Sequence, residues 1–175
     1  LLGSHRGVEI HVLDESSLMH TGTLKSIDGC LAAAKCRVSG CGRAVFESGG
    51  NTGNALTAYG QRAGVETFCV VPAANLPLLD GATFAAPGAH LIAVGERALV
   101  KPAARLLADL DGARHIPDLH WRYEAARFRG AFILEDMLAL GPFDWMVQTI
   151  SAAFGPIGIY DVFRRFAPDG MRSPR

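Results

Sequence analysis

Hydrophobic and polar positions follow two periods along this chain, and stretches of the two kinds alternate. Apolar runs and runs of period two predict strands, which lie at 8–15, 43–47, 66–72, 90–94 and 143–150. Apolar positions spaced three and four residues apart predict helices, which lie at 24–37, 54–63, 97–110, 123–140 and 159–166. Residues 115–122 are predicted to be irregular. Because strands alternate with helices, the pattern predicts an α/β fold with a mainly parallel sheet.

Composition and charge exclude several classes of protein. The 175 residues are 49% hydrophobic and 19% charged, which is typical of a globular chain with a substantial core. The 17 acidic residues balance the 17 basic ones, so charge gives no reason to expect nucleic acid or an anionic membrane as a partner. No apolar run reaches the roughly 18 residues of a membrane span, and the N-terminus lacks the features of a secretory signal. We therefore expect a cytoplasmic protein.

The cysteines and histidines predict no metal site. The four cysteines have spacings that match no common zinc pattern, and they are interpreted as reduced thiols, with Cys30 and Cys69 inside buried elements. His115 and His120 are interpreted as loop histidines, because no third ligand accompanies them. Glu124 and Arg127, three residues apart, are interpreted as a pair on a helix surface.

The first junction with candidate chemistry is VFESGGNTGN, which begins at Val45. A predicted strand runs into glycines interleaved with Ser48, Asn51 and Thr52, and a helix follows. Such a turn exposes backbone N–H groups at a helix N-terminus, which is a receptor for a carboxylate or a phosphate. The turn is neither a P-loop nor a GxGxxG fingerprint. A glycine-rich tight turn without a ligand is the alternative.

The second junction is MVQTISAAFGPIG, which begins at Met146. Small residues leave the backbone accessible before the last predicted helix; they are Ser151, Ala152, Ala153, Gly155 and Gly158. Phosphate is the natural ligand of such a loop. From residue types alone, an ordinary connection between a strand and a helix explains the pattern equally well.

A lysine occupies an unusual position in MHTGTLKSID, which begins at Met19. The chain has only three lysines, and Lys25 follows a Thr-Gly turn where a helix is predicted to begin. The positive end of the helix dipole disfavours a cation there. The presence of a lysine at this position therefore requires a specific explanation.

Three segments, 11–34, 47–72 and 143–166, together resemble the pyridoxal-phosphate enzymes of the tryptophan synthase β-subunit type, known as fold type II. Threonine synthases and cysteate synthase-like proteins look most similar, and the resemblance covers about residues 8–167. It implies a two-lobed, three-layer αβα fold with mainly parallel twisted sheets, of which this chain lacks the usual C-terminal part. The larger, cofactor-binding lobe would comprise 1–40 and 141–175, and the smaller lobe 41–140.

The resemblance also implies roles for individual residues. Lys25 matches the catalytic lysine that binds pyridoxal 5′-phosphate as a Schiff base and later acts as a general base. Asn51 matches the asparagine that hydrogen-bonds the 3′-oxygen of the cofactor. The loop that holds the substrate carboxylate is matched by Ser48, Gly49, Gly50, Asn51 and Thr52. The phosphate cup is matched by Ala153, Phe154, Gly155, Ile157 and Gly158, whereas Pro156 has no N–H to donate.

The resemblance implies an enzyme that carries out β- or γ-elimination and replacement on a small-molecule amino acid. Conversion of O-phosphohomoserine to threonine is the preferred reaction. The alternatives are β-replacement of the cysteine or cysteate synthase type, and a serine/threonine dehydratase. An alternative of another class is a non-catalytic binding or regulatory subunit, since a partial chain would be a poor catalyst. A homodimer is the habit of the family.

Overall fold

The computed structural model describes residues 1–16, 21–116, 118–150 and 152–175, with only the backbone at positions 118 and 119. These residues contain six strands: β1 (Gly3–His5), β2 (Val8–Ile10), β3 (Arg43–Glu47), β4 (Glu66–Pro72), β5 (Ala89–Val94) and β6 (Arg114–His115). The same ranges contain six α-helices: α1 (Lys25–Val38), α2 (Asn51–Arg62), α3 (Gly81–Phe84), α4 (Val100–Asp111), α5 (Asp118–Leu140) and α6 (Phe154–Phe166). Two 3₁₀ helices, Ala73–Leu78 and Arg97–Leu99, complete these parts of the chain.

A parallel sheet of four strands in the order β5-β4-β3-β6 forms the centre of the fold. Its two inner strands are buried along most of their length, since RAVFE and ETFCVVP are almost continuous apolar runs. Strands β1 and β2 form a separate antiparallel pair. The predicted α/β class with a parallel sheet is confirmed.

Helices cover both faces of the sheet, which gives three layers. One face packs against α1 and α2 through a cluster that includes Ala32, Cys36, Phe46, Leu56 and Val71. The other face packs against α4 through a cluster that includes Val45, Phe68, Val70, Val100 and Ala104. A third cluster joins α5 to α6 and includes Ile133, Met137, Ile159, Val162 and Phe163. None of the helices in the described residues is long and apolar enough to cross a lipid bilayer.

Glycines allow two pairs of helices to approach closely. A Cβ on Gly29 of α1 would lie 2.6 Å from the carbonyl oxygen of Ala55 in α2. A Cβ on Gly158 of α6 would lie 2.7 Å from the carbonyl carbon of Ala126 in α5. Real Cβ atoms do not come this near to backbone atoms, so both contacts require glycine.

The predicted strand 143–150 is wrong. The segment is irregular, and Val147 is 97% exposed. Within the described chain, its main-chain hydrogen bonds to other segments are made with Arg175, which accepts from Met146 N–H at 2.9 Å and donates to Asp144 O at 3.0 Å. A strand requires a neighbour along its whole length, and the apolar pattern alone does not supply one.

Other boundaries also differ from the prediction. The predicted strand 8–15 ends at Ile10, and residues 115–122 contain the end of β6 and the start of α5 rather than an irregular segment. Helix α6 begins at Phe154 instead of 159, because Pro156 lies in the first turn, where its missing N–H costs no helical hydrogen bond. Cys30 is exposed, contrary to expectation, whereas Cys69 is buried as expected.

Candidate functional site

Lys25 is the first residue of α1, and the preceding turn fixes the start of the helix. The Thr23 hydroxyl accepts a hydrogen bond from Lys25 N–H at 3.3 Å, and the Thr23 carbonyl accepts one from Ser26 N–H at 2.9 Å. The Ser26 side chain is buried and hydrogen-bonded to the Thr21 hydroxyl. The first part of the predicted turn, with His20, lies outside the described residues.

A carboxylate one turn into the helix accompanies the Lys25 ammonium. Lys25 Nζ lies 3.6 Å from Asp28 Oδ2, and the lysine side chain is 28% exposed. Burial raises the pKa of Asp28, and the charges of Lys25 and Arg122 oppose that rise. The cation at the positive end of α1 is thus balanced locally, and its residue lines a cleft.

That cleft, here called the lysine cleft, lies between α1, α5 and the start of α6. Its lining includes Lys25, Asp28, Arg122, Arg129, Phe154 and Gly155. Residues separated by about 130 positions are therefore brought together, since Lys25 faces the N-terminal turn of the last helix. The Lys25 turn and the second predicted junction therefore meet here.

The N-terminus of α6 supplies polar groups to the lysine cleft. Ala153, the residue before the helix, has left-handed backbone torsions, with φ of 60°. A Cβ on Gly155 would lie 2.7 Å from Gln148 Oε1 and 3.2 Å from Arg129 Nη1, so only glycine leaves this space open. The Gln148 side-chain nitrogen is buried without a hydrogen-bond partner. Arg129 Nε donates to Glu15 Oε1 at 2.5 Å. Ser151 lies outside the described residues.

The loop before α2 is held by hydrogen bonds at two points. The Ser48 hydroxyl accepts from Gly53 N–H at 2.8 Å, which satisfies one amide of the first turn of α2. The Gly49 carbonyl accepts from Asn75 Nδ2 at 2.9 Å. Asn51 is exposed at the first position of the helix, three residues earlier than predicted. The amides of Asn51 and Thr52 therefore belong to the first turn, where α-helical N–H groups have no intrahelical partner.

A second cleft, here called the threonine cleft, adjoins the first. Its lining includes Asp28, Glu47, Thr52, Trp121 and Arg122. Asp28 and Arg122 line both clefts, so the two spaces meet at this pair.

Some of the predicted site residues line one of the two clefts, and the others line neither. Lys25, Phe154 and Gly155 line the lysine cleft, and Thr52 lines the threonine cleft. The lining of these two clefts does not include Ser48, Gly49, Gly50, Asn51, Ala153, Ile157 or Gly158. Gly158 instead packs in α6 against Ala126, so helix contact accounts for its missing side chain.

Sequence reasoning missed three charged residues of the lysine cleft. They are Asp28, Arg122 and Arg129. A signal for them was present: Asp28 is three residues after Lys25, and the two arginines are seven residues apart, which places them on one face of a helix. Because residues 115–122 were predicted to be irregular, Arg122 was not placed on a helix, and the face that it shares with Arg129 was not recognised.

Glu124 and Arg127 do not form the predicted pair with each other. Glu124 forms an ion pair with Lys35 of α1 and lies 2.9 Å from His120 Nε2. The Lys35 hydrogen bond lowers the pKa of Glu124. Arg127 Nε lies 2.8 Å from Oδ2 of Asp161 in α6. Both residues thus join α5 to another helix.

Asp161 carries a concentrated group of ion pairs. Its pKa is lowered by hydrogen bonds from Arg164 and Arg165, each at 3.0 Å, and by the charge of Arg127.

His115 forms a comparable pair, because its Nε2 lies 2.8 Å from Glu47 Oε2. Among the described residues, no three His, Cys, Asp or Glu side chains come together in a way that could hold a metal ion.

Substituting two glycines of α6 tests which of them is required for the packing of α6 against α5. Gly158→Ala should lower the free energy of unfolding by about 2 kcal/mol, because backbone atoms of α5 must move. Gly155→Ala should change it by less than about 1 kcal/mol, because the new methyl group meets only the ends of side chains, which can rotate. Urea denaturation of both variants measures the difference. Equal losses of stability would contradict this account of Gly158.

Comparison with known proteins identifies a family. The family model described as "Pyridoxal-phosphate dependent enzyme" matches residues 1–174. No curated protein matches the sequence.

Solved structures with the same fold include several enzymes. Threonine deaminase of T.th. has a TM-score of 0.75 and 19% identity, covering 89% of this chain and 50% of its own. Diaminopropionate ammonia lyase of Escherichia coli has a TM-score of 0.73 and 14% identity, covering 84% and 48%. A pyridoxal 5′-phosphate-dependent aspartate racemase has a TM-score of 0.67 and 24% identity, covering 87% and 47%. The chain thus spans about half the length of the solved structures that it matches.

Proposed function

The chain belongs to the pyridoxal-phosphate dependent enzymes, and from this premise we propose that it catalyses β- or γ-elimination and replacement on an amino-acid substrate. Pyridoxal 5′-phosphate is the cofactor of this family. The observation that carries the proposal is that Lys25 and the first turn of α6 face the same cleft. A primary amine and a helix N-terminus are the two groups that an aldehyde carrying a phosphate requires.

The described residues fit this cofactor. The polar ends of Gln148 and Arg129 converge on the space beside Gly155, and a Cβ there would displace them. The unpartnered nitrogen of Gln148 supplies a hydrogen-bond donor to a phosphate oxygen, and Arg129 supplies positive charge. We assign the phosphate to the amides at the start of α6, with Pro156 contributing none.

Lys25 has two tasks in this proposal. Its Nζ would hold the cofactor covalently, and the same nitrogen would move protons at Cα and Cβ of the substrate. When bound, the cofactor supplies an electron sink for the carbanion that these proton transfers create. Asp28, whose Oδ2 lies 3.6 Å from Nζ, would help to hold the lysine side chain in position for these tasks.

The loop before α2 is proposed to bind the substrate carboxylate and the 3′-oxygen of the cofactor. Amides at the start of α2, with Ser48 and Thr52, bind the substrate carboxylate through hydrogen bonds and the helix dipole. Asn51 donates to the 3′-oxygen of the cofactor. The anchoring of Gly49 by Asn75 orients this loop before any ligand binds.

Within this reaction class, we propose conversion of O-phosphohomoserine to threonine. The reaction consumes one water and releases inorganic phosphate. Its support is electrostatic: Arg122 accompanies Lys25 in the lysine cleft, and a guanidinium group suits a substrate with a second, strongly anionic group.

Borohydride trapping tests the proposal directly. The protein is incubated with pyridoxal phosphate, reduced with borohydride and digested, and its lysines are compared by mass spectrometry. Reduction should fix the cofactor on Lys25, while Lys101, exposed on α4, serves as the control for random attachment. Equal labelling of Lys25 and Lys101, or no labelling at all, would overturn the proposed site. Labelling of Lys25 without threonine formation from O-phosphohomoserine would overturn the proposed reaction alone.

A further inference from the structure

The C-terminal end of α1 has a hydrogen-bond pattern that brings two cysteines together. Gly40 has left-handed torsions, with φ of 69°. Its N–H donates to Arg37 O at 3.2 Å, and Cys41 N–H donates to Cys36 O at 2.9 Å. These two bonds define a Schellman motif, in which the residue after the glycine contacts the residue three positions inside the helix.

In this motif the contacting residues are Cys36 and Cys41. Cys36 is 1% exposed within the core on one face of the sheet, and the partly buried Cys41 packs against the same cluster. The neighbouring Cys41 thiol adds to the effect of burial in raising the pKa of Cys36. A disulfide requires Cα atoms within about 7 Å and side chains that face each other. The main-chain hydrogen bond between Cys36 and Cys41 and the packing of both side chains in one cluster favour this geometry.

We propose that Cys36 and Cys41 are a redox modification site, at which a hydroperoxide converts the two thiols into a disulfide. Peroxide first oxidises the more accessible Cys41 sulfur to a sulfenic acid and is itself reduced to water. The Cys36 sulfur then attacks the Cys41 sulfur and displaces a second water. Two thiol hydrogens and two electrons are thus transferred to one molecule of hydrogen peroxide, and a dithiol reductant reverses the change.

The order of these steps follows from the environments of the two sulfurs. Burial raises the pKa of Cys36 to about 12, so Cys36 remains a thiol and is a poor first target for peroxide. Cys41 is less buried, and its thiol donates to the carbonyl of Arg43. The guanidinium of Arg114 opposes the rise in the Cys36 pKa, and this favours release of the Cys36 proton during the second step.

The disulfide would join the last turn of α1 to the segment that leads into β3. Helix ends unwind from their last turn, and a covalent link between Cys36 and Cys41 prevents this without unfolding the turn itself. The helix that begins at Lys25 would therefore be held at its opposite end.

Tryptic mapping after peroxide treatment tests the proposal on the intact protein. Cleavage after Lys35, Arg37 and Arg43 separates Cys36 and Cys41 into two short peptides, 36–37 and 38–43. The expected result is one linked species, lighter by two hydrogens than the sum of the two peptides, which dithiothreitol converts back. The exposed Cys30 is the internal control for peroxide dose. Oxidation of Cys30 while Cys36 and Cys41 both remain alkylatable would overturn the proposal.

A variant distinguishes the proposed pair from general thiol oxidation. In Cys41→Ser, whose fold is verified by circular dichroism, Cys36 should remain a free thiol at the dose that links it in the unmodified protein. Loss of the Cys36 thiol in this variant, or conversion of Cys41 to a sulfinic acid without linkage in the unmodified protein, would contradict the assignment.

Discussion

Lys25→Ala is expected to abolish covalent retention of pyridoxal phosphate and to lower turnover by about a thousandfold or more. Positioned acid–base catalysis alone contributes about 10²–10⁴ in rate, and this variant also loses the nitrogen that holds the cofactor. The other two lysines offer no replacement. Lys35 is ion-paired to Glu124 and lies two to three turns further along the same helix, and Lys101 lies on α4. The measurements are bound cofactor after gel filtration and threonine formation from O-phosphohomoserine.

Two controls make this result specific. Lys101→Ala removes an exposed lysine on another helix and should leave both measurements unchanged. Lys25→Ala also leaves Asp28 without its ion pair, so its unfolding must be measured alongside activity. Because the Lys25 side chain is 28% exposed, this pair should contribute no more than about 1 kcal/mol. A folded Lys25→Ala protein that retains cofactor covalently would show that another residue forms the bond.

The central part of the fold was predictable from sequence, because its elements are specified locally. Strands β3 and β4 coincide with the predicted 43–47 and 66–72, since a fully buried parallel strand is an almost continuous apolar run. The start of α1 was predictable from the Thr-Gly turn within one residue. The glycine-bearing loop and helix around Asn51 were also predictable, although the helix begins earlier than its apolar period indicates.

The errors occurred where a long-range partner decides the structure. FDWMVQTI has the composition of a strand, but its conformation depends on a neighbouring strand that no local pattern reveals. Glu15 and Arg129 are separated by 114 positions, and nothing in either segment predicts their contact. The division into lobes at 1–40 with 141–175 and at 41–140, the homodimer and the roles of the loop residues stay predictions.

Breaking the ion pair between Glu15 and Arg129 should produce the largest loss of stability among the charged pairs considered. The two side chains are 18% and 14% exposed, and Arg129 Nε lies 2.5 Å from Glu15 Oε1. Glu15→Ala leaves a guanidinium with little solvent beside Lys25 in the lysine cleft. Removing one partner of a fully buried pair costs about 3–5 kcal/mol, and partial solvation lowers the expected loss here to about 2 kcal/mol. The matched control is Glu9→Ala, whose 73%-exposed carboxylate pairs with His11 and should contribute below about 0.5 kcal/mol.

A double-mutant cycle separates the pair from its surroundings. Arg129→Met alone leaves the Glu15 carboxylate unpartnered, and Glu15→Leu alone leaves the Arg129 guanidinium unpartnered. The double variant, which carries both substitutions, replaces both charges by apolar groups of similar length. Since the cost of a broken pair is mainly that of the remaining charge, the double variant should be more stable than the sum of the single losses predicts, by at least about 1 kcal/mol. Urea midpoints measure this, and additive losses would contradict a direct interaction. Cofactor retention gives a second result: if Arg129 supports the phosphate beside Gly155, both variants that lack it should bind the cofactor more weakly, including the double variant whose stability is restored.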